Sequence, residues 1–475
     1  MPPKGQELDD HYFGSLRNRI AAFMKTTNEE LWKLGVTAKT QHNEAAPAQH
    51  ELAPIYMECN VAVDHNQLIM ETLKKVASRQ GLHCLLHEKP FAGVNGSGKH
   101  DNWSLITDDG KNLFDPGKTP HENIQFLLLM MCMLRAVDKH AALLRESAAD
   151  PGNEERLGAA EAPPAIISIF LGEQLEDVLE QLVSTGTATH SIKGSVLETG
   201  VRTLPDFTKD ATDRNRTSPF AFTGNKWEFR MVGSRDSVGG PNVVLNTIVA
   251  DALCDACDEL EKAEDFDQAV HDLIKRYAIE HQRIVFSGNG YSQEWVEEAK
   301  RRGLPNLPSM VDAIPALVSE ESVRVFEKFG VFRRAELESR MEIKYEAYAK
   351  VINIEAKTMI DIARKQILPA VMNYTKTVAE TVIAVRGAGA EPLVQMEVLT
   401  ATNNLLKEVK DTLVHLEEVT EEAGKKAEGC EQAHYYHDEV VPAMKALREP
   451  VDHLEMIVSK DMWPMPSYSD LLFEV

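Results

Sequence analysis

Cysteine is scarce in this sequence, with six in 475 residues. The six are scattered, which excludes a disulfide-built secreted scaffold. Long apolar runs are lacking too. The longest, residues 126–134, falls well short of the roughly 20 residues that a membrane-spanning helix needs. Positive charge is in deficit, 51 Lys+Arg against 74 Asp+Glu, for a net charge of −23. Nucleic acid and anionic membranes are bound through clustered Lys and Arg, so neither is an expected partner. Small molecules or copies of the chain itself are. The first residues, with Lys4, Glu7, Asp9 and Asp10, show no basic start followed by an apolar stretch. No secretory signal is read there, and a cytoplasmic location is expected.

What is present is more chain than one compact core needs, so at least two folding units are expected. The 43% apolar and 26% charged fractions are those of an ordinary globular protein. Short strand-like runs and helices mix over the first two-thirds and helix dominates the last third, which predicts a division into 1–318 and 319–475. A helix is expected after Asp64, with Leu68, Leu73 and Val76 on one face, then a strand over 83–87. Thr119-Pro120-His121-Glu122 has the spacing of a capping box and predicts the start of a helix that the run 126–134 makes a buried one. Residues 150–164, rich in Ala, Glu, Pro and Gly, read as an exposed connection, and 165–171 as an apolar strand. Cys254 and Cys257 fall in a helix-like run over 248–262, where a buried helical pair is favoured over zinc or redox chemistry.

Beyond Ser319 three long helices are expected. The first carries Tyr348, Ile352, Met359, Ala363 and Ala370, with a kink at Pro369. The second carries Leu405, Val409, Leu413 and Leu416 and is closed by Gly424; the third carries Val440, Met444, Leu447, Val451, Leu454 and Val458. They hold no catalytic constellation and read as a packing bundle.

The chemistry lies in three polar clusters of the first part. In His42-Asn43-Glu44 and Gln49-His50-Glu51, strand alternation puts His42 and Glu44 on one face, and a turn at Pro47 returns Glu51 to it. Converging carboxylates make a hard oxygen site for Mg²⁺ or Mn²⁺. A solvated strand edge is the alternative, and a zinc hydrolase the other use of these residues, although the helical H-E-x-x-H is absent. Gly93-Val94-Asn95-Gly96-Ser97-Gly98-Lys99-His100 nearly matches a phosphate-binding P-loop, but His100 replaces the metal-binding Ser/Thr. Trp103-Ser104-Leu105-Ile106 and the Asp109-Gly110 turn then read as strand and hairpin, not helix, so a P-loop is rejected. The glycines still allow close backbone approach to a ligand, and His100 is placed for metal binding or chemistry. Third, Arg214-Asn215-Arg216 precedes Lys226-Trp227-Glu228-Phe229-Arg230-Met231, a strand with Lys226, Glu228 and Arg230 on one face and Trp227, Phe229 and Met231 on the other. The charged side faces either solvent or a cavity. In a cavity, Glu228 could hold a metal while Arg216 and Arg230 clamp carboxylate or phosphate oxygens.

Taken in order, His42-x-Glu44 with Glu51, Asn95-Gly96-Ser97-Gly98-x-His100, and Arg214-Asn215-Arg216 with Glu228-x-Arg230 resemble the glutamine synthetase catalytic domain. The type III branch is the most similar, over residues 42–56, 89–105 and 213–230. The resemblance implies an α+β fold, a curved and mainly antiparallel sheet with flanking helices, followed by a C-terminal helical bundle. It implies ATP-dependent ligation of ammonia to L-glutamate through γ-glutamyl phosphate, two divalent metals (Mg²⁺ or Mn²⁺), and ring-shaped homo-oligomers such as a pair of hexamers. By the same resemblance Glu44 and Glu51 hold one metal, and His100 and Glu228 the other, which bridges the ATP phosphates. Asn95 and Gly96 contact glutamate, Arg230 clamps its α-carboxylate, Arg216 stabilises the transferred phosphoryl group, and Ser104 and Lys226 contact the nucleotide. A site of two metals and several arginines suits phosphoryl transfer.

The sequence also departs from the family. Ala221 stands where a second phosphate-binding arginine is expected, and the flap is unmatched, with Lys209 and Asp210 as its candidates near Leu204-Pro205-Asp206. Nothing before His42 matches the family's N-terminal β-grasp-like domain, or the strand whose paired glutamates give each metal a further ligand. Two expectations of different class follow. One is a glutamate–ammonia ligase in truncated or separately completed form. The other is a non-catalytic relative that binds nucleotide or partner subunits without turnover.

Overall fold

The computed structural model describes residues 11–158, 163–191, 217–467 and 470–471, and the backbone of two strands at 196–197 and 207–208. Two compact units divide the chain, Leu8–Leu337 and Glu338–Val475. Among the described residues no helix is long and apolar enough to cross a membrane.

The first unit opens with α1 (Asn18–Lys33), a hairpin of β1 (Ala38–Asn43) and β2 (His50–Pro54), and α2 (Cys59–Arg79). Helices α1 and α2 pack on each other, and Leu31, Val36 and Ile69 form a small core of their own. α2 begins ahead of the expected Asp64; Val76 is buried on it, whereas Leu68 is exposed. The strand expected over 83–87 does not form. Exposure alternates along it, but no neighbouring strand pairs with it among the described residues. Alternation alone gives extended backbone, and a strand needs a partner for its N–H and C=O groups.

Among the described residues six more strands follow: β3 (Lys99–Trp103), β4 (Ile169–Phe170), β5 (Val196–Leu197), β6 (Phe207–Thr208), β7 (Phe220–Phe222) and β8 (Trp227–Val232). β3, β8, β7 and β4 lie side by side in that order, antiparallel except for the β4–β7 pair. Around this sheet lie α3 (Ile124–Lys139), α4 (Ala141–Ser147), α5 (Glu173–Thr185), α6 (Gly239–Leu260) and α7 (Phe266–His281). Trp227, Phe229 and Met231 of β8 share one core with Met130 through Leu134 of α3, as the unbroken apolar run of that helix requires. Thr119 does not cap it: Pro120–Glu122 is a short 3₁₀ turn, and Asn123 accepts from Phe126 N at 3.1 Å. The residue immediately before the first helical turn takes the cap role.

Residues 150–157 do not form an exposed connection. Asn153 is fully buried and donates to Ala148 O and Met231 O, both at 2.8 Å, and Glu154 accepts from Met310 N at 2.6 Å. The polar side chains that suggested solvent are consumed by buried backbone groups. Of the expected strand over 165–171, Ile169–Phe170 is in the sheet and Ile166 makes a single bridge to Asn306, and the stretch is buried. α6 carries Cys254 and Cys257, but Cys257 is exposed and Cys254 half-buried; Cys132 on α3 is the buried thiol. The unit ends with α8 (Gln293–Arg301), α9 (Met310–Ala313) and α10 (Glu320–Lys328). Val323, Val325, Phe326 and Leu337 belong to its core, so compact packing continues past residue 318.

The second unit is helical, through the part of α11 (Arg334–Ile362) from Glu338 onward, α12 (Leu368–Gly387), α13 (Leu393–Ala423), α14 (Cys430–Tyr435) and α15 (Val441–Glu455). α13 packs on α12 and α15, with Val409, Leu413, Leu416, Leu447 and Leu454 buried. Two π turns, Ala363–Ile367 and Tyr436–Val440, come just before Pro369 and Pro442. A proline ring clashes with the carbonyl four residues back and offers no N–H, and a widened turn accommodates both defects without ending the helix. The kink expected at Pro369 takes this form.

Candidate active site

The β1–β2 register sets His42 opposite Glu51 and Asn43 opposite His50. In the turn between them Ala48 adopts a left-handed φ of 56°, and Glu44 N donates to Gln49 O at 2.9 Å. The reversal gathers ligand atoms of His42, Glu44 and Glu51 within 4.8 Å of one another. His42 Nε2 lies 3.0 Å from Glu51 Oε2, and its Nδ1 3.6 Å from Glu44 Oε1. Burial, with the hydrogen bond and charge of Glu51, pushes the Glu44 carboxyl up to about 7. Two crowded carboxylates and an imidazole are a donor set that a hard divalent cation relieves, so these residues fit a metal.

On the main sheet β3 supplies His100 and β8 supplies Glu228 and Arg230. His100 Nδ1 lies 2.9 Å from Glu228 Oε1, and Arg230 Nε donates to the same oxygen at 2.9 Å. Both faces of β8 are buried, with Glu228 at 5% and Arg230 at 7% exposure. The charged face of the strand therefore lines the interior and not bulk solvent. Burial works to raise the Glu228 carboxyl, but the hydrogen bond and charge of His100 and the charge of Arg230 outweigh it and hold the group at about 2. Glu228 is thus an anion at any ordinary pH, with an imidazole beside it as a second donor. Ala221 is buried on β7 directly opposite Glu228. Its methyl group leaves that carboxylate to His100 and Arg230.

The segment leading into β3 is ordered by contacts within the chain. A Cβ on Gly96 would stand 2.5 Å from Glu88 O, and one on Gly98 would collide with Arg156 and Val232 O. The close approach made by these glycines is to the chain itself, to the Glu88 and Val232 carbonyls and the Arg156 guanidinium. After β3 the hairpin expected at Asp109-Gly110 is present, with Thr107 N donating to Lys111 O at 3.0 Å and Gly110 at φ 85°. Ser104 Oγ donates to Asn112 Oδ1 at 2.8 Å and to Asn225 O at 3.3 Å. It is thereby held at the end of the β7–β8 hairpin, next to half-buried Lys226. Asn95 and Gly96 sit in the loop before β3. The other candidates, Lys209, Asp210, Arg214, Asn215 and Arg216, lie outside the described residues.

Arg156 carried no motif and was absent from the sequence-based set. It donates to Arg230 O and to Val232 O, the latter at 3.2 Å, and so braces the strand that carries Glu228. Its only signal was a position within 150–164, a stretch whose composition pointed to solvent.

This geometry coincides with a family assignment. The chain matches the glutamine synthetase catalytic domain over residues 5–146 and the glutamine synthetase C-terminal domain over residues 269–386. It is 45% identical to the type-3 glutamine synthetase of Dictyostelium discoideum, over 99% of this chain and 65% of that protein. A glutamine synthetase of Butyrivibrio fibrisolvens is 44% identical, over 99% of this chain and 68% of that protein. The chain belongs to the glutamine synthetase family. It spans about two thirds of the length of the curated relatives it matches. A solved structure titled "Apo GmaS without ligand" is similar with a TM-score of 0.45 and 18% identity, covering 70% of this chain and 60% of that chain. The expected glutamine synthetase fold class, an α+β catalytic domain and a helical C-terminal region, is the one observed.

Proposed function

We propose that this glutamine synthetase-family chain takes part in ATP-dependent ligation of ammonia to L-glutamate, giving L-glutamine through γ-glutamyl phosphate. The observation that carries the reading is the 2.9 Å contact of His100 with Glu228, made in a family member that also assembles Glu44 with Glu51. In this reading Glu44 and Glu51 hold one Mg²⁺ or Mn²⁺, and His100 and Glu228 a second. Bound there, the metals supply positive charge to the phosphate oxygens during transfer.

The remaining work falls to the chain. Arg230 presents a fork that matches the α-carboxylate of glutamate, and Asn95 and Gly96 hold the adjacent part of that substrate. Ser104 and Lys226 hold the nucleotide, while Arg216 offsets negative charge on the phosphoryl group. The γ-carboxylate of glutamate attacks the terminal phosphorus, ADP leaves, and ammonia displaces phosphate from the acyl phosphate. Catalysis is assigned to the first unit and assembly into a homo-oligomer to the helices that follow it. A cytoplasmic location goes with ATP and glutamate as substrates.

Hydroxylamine tests the reading by capturing an acyl phosphate as a hydroxamate. The chain with Mg²⁺, ATP, glutamate and hydroxylamine should form γ-glutamyl hydroxamate, and omission of ATP should abolish it. Absence of hydroxamate under all conditions would count against turnover and for a chain that only binds nucleotide or subunits.

A further inference from the structure

We propose that Glu88, Asp150 and Asp236 form a further cation site, distinct from the residues assigned to catalysis, that takes a hard divalent ion such as Mg²⁺, Mn²⁺ or Ca²⁺. One carboxylate oxygen from each lies within 4.8 Å of the others. The three come from separate stretches: the segment before the glycine-rich loop, the turn after α4, and the turn after β8.

Glu88 is the central observation. It is fully buried, and its Oε2 has no hydrogen-bond partner, while Oε1 accepts from Ser234 N at 2.7 Å. The orphan oxygen faces Asp150, because a Cβ on Gly152 would stand 2.8 Å from Glu88 Oε2 and 3.2 Å from Asp150 Oδ2. The other oxygen faces Asp236, because a Cβ on Gly233 would meet both Asp236 Oδ2 and Glu88 Oε1. Glu88 therefore stands between the two aspartates, and two glycines keep the gaps open. A buried carboxylate oxygen with no donor is rare and calls for a ligand.

The neighbouring cations do not fill that role. Arg235 directs its fork at Asp150, with Nη2 at 2.9 and 2.7 Å from the two oxygens. Lys99 Nζ donates to the carbonyls of Gly233 and Asp236, and Arg156 to those of Arg230 and Val232. Oxygen-only donors, with no thiol or imidazole among them, select a hard ion. An ion here ties the turns after α4 and β8 to the segment before β3, and so braces the two strands that carry His100 and Glu228.

The test is Mn²⁺ binding by the full chain, read from the paramagnetic resonance of free Mn²⁺, in the combined variant Glu44→Gln, Glu51→Gln, Glu228→Gln. About one Mn²⁺ per chain should remain. Adding Asp236→Asn should remove it, and adding Gly152→Ala, which places a methyl group between Glu88 and Asp150, should weaken it at least tenfold. No residual Mn²⁺, or residual binding that neither change affects, would overturn the proposal. Circular dichroism establishes that each protein is folded; if Asp236→Asn fails to fold, Gly152→Ala decides.

Discussion

Glu228 Oε1 stands 2.9 Å from His100 Nδ1, with the two residues on adjacent antiparallel strands. Removing the negative charge while keeping the shape, Glu228→Gln, should abolish Mg²⁺-dependent ATP binding measured by calorimetry and leave the far-ultraviolet dichroism unchanged. Unaltered nucleotide affinity would end the assigned role. The amide is preferable to Glu228→Ala because its carbonyl oxygen can still accept the hydrogen bond that Arg230 Nε donates to Glu228 Oε1.

Acid should weaken the β1–β2 hairpin through His50. Burial, with the charge of His11 beside it, pulls the His50 imidazole down from 6.5 to about 4. Between those values the folded state binds fewer protons than the unfolded one, so stability is complete above pH 6.5 and is lost as pH falls toward 4. The shift corresponds to about 3 kcal/mol, and to about 2 kcal/mol once the partial exposure of the ring is allowed for. Urea denaturation at pH 7 and pH 4 should show wild type losing about that much more than His50→Asn. Equal losses would mean that His50 does not titrate in this way.

Asn153→Ala should destabilise the first unit by about 2–4 kcal/mol, because two buried carbonyls, Ala148 O and Met231 O, lose their donor. Denaturant midpoints measure this. A loss under about 0.5 kcal/mol would show that the turn after α4 relaxes to solvent.

Chain truncation separates the two readings of the domain boundary. A protein ended at residue 318 lacks Val323, Val325, Phe326 and Leu337, which belong to the core, whereas one ended at residue 337 keeps them. The longer form should unfold at a clearly higher urea concentration. Both should show a smaller native assembly than the full chain, since assembly is assigned to the helices removed. Equal midpoints would contradict the core assignment, and unchanged subunit number the assembly role.

Legibility in the sequence followed the range of the interactions. The charged and apolar faces of β8 and the buried α3 were readable because strand alternation and an unbroken apolar run are local signals. The return of Glu51 to His42 was readable for the same reason, since a turn residue and a period of two fix a hairpin. The region around Asn153 and Arg156 was not. Its composition is that of a surface loop, and only the distant carbonyls of Met231 and Val232 make it a buried brace. The strand expected at 83–87 failed on the same account, because pairing depends on a partner elsewhere in the chain. The interior setting of Glu228 was left open by the strand pattern alone, since the pattern gives faces but not what covers them.

The most direct measurement of the central claim is ADP release by the purified chain with Mg²⁺ and ATP, with and without glutamate and ammonium. Release should occur only when both are present. Release that ignores them, or no release with any combination, would contradict ligation by this chain.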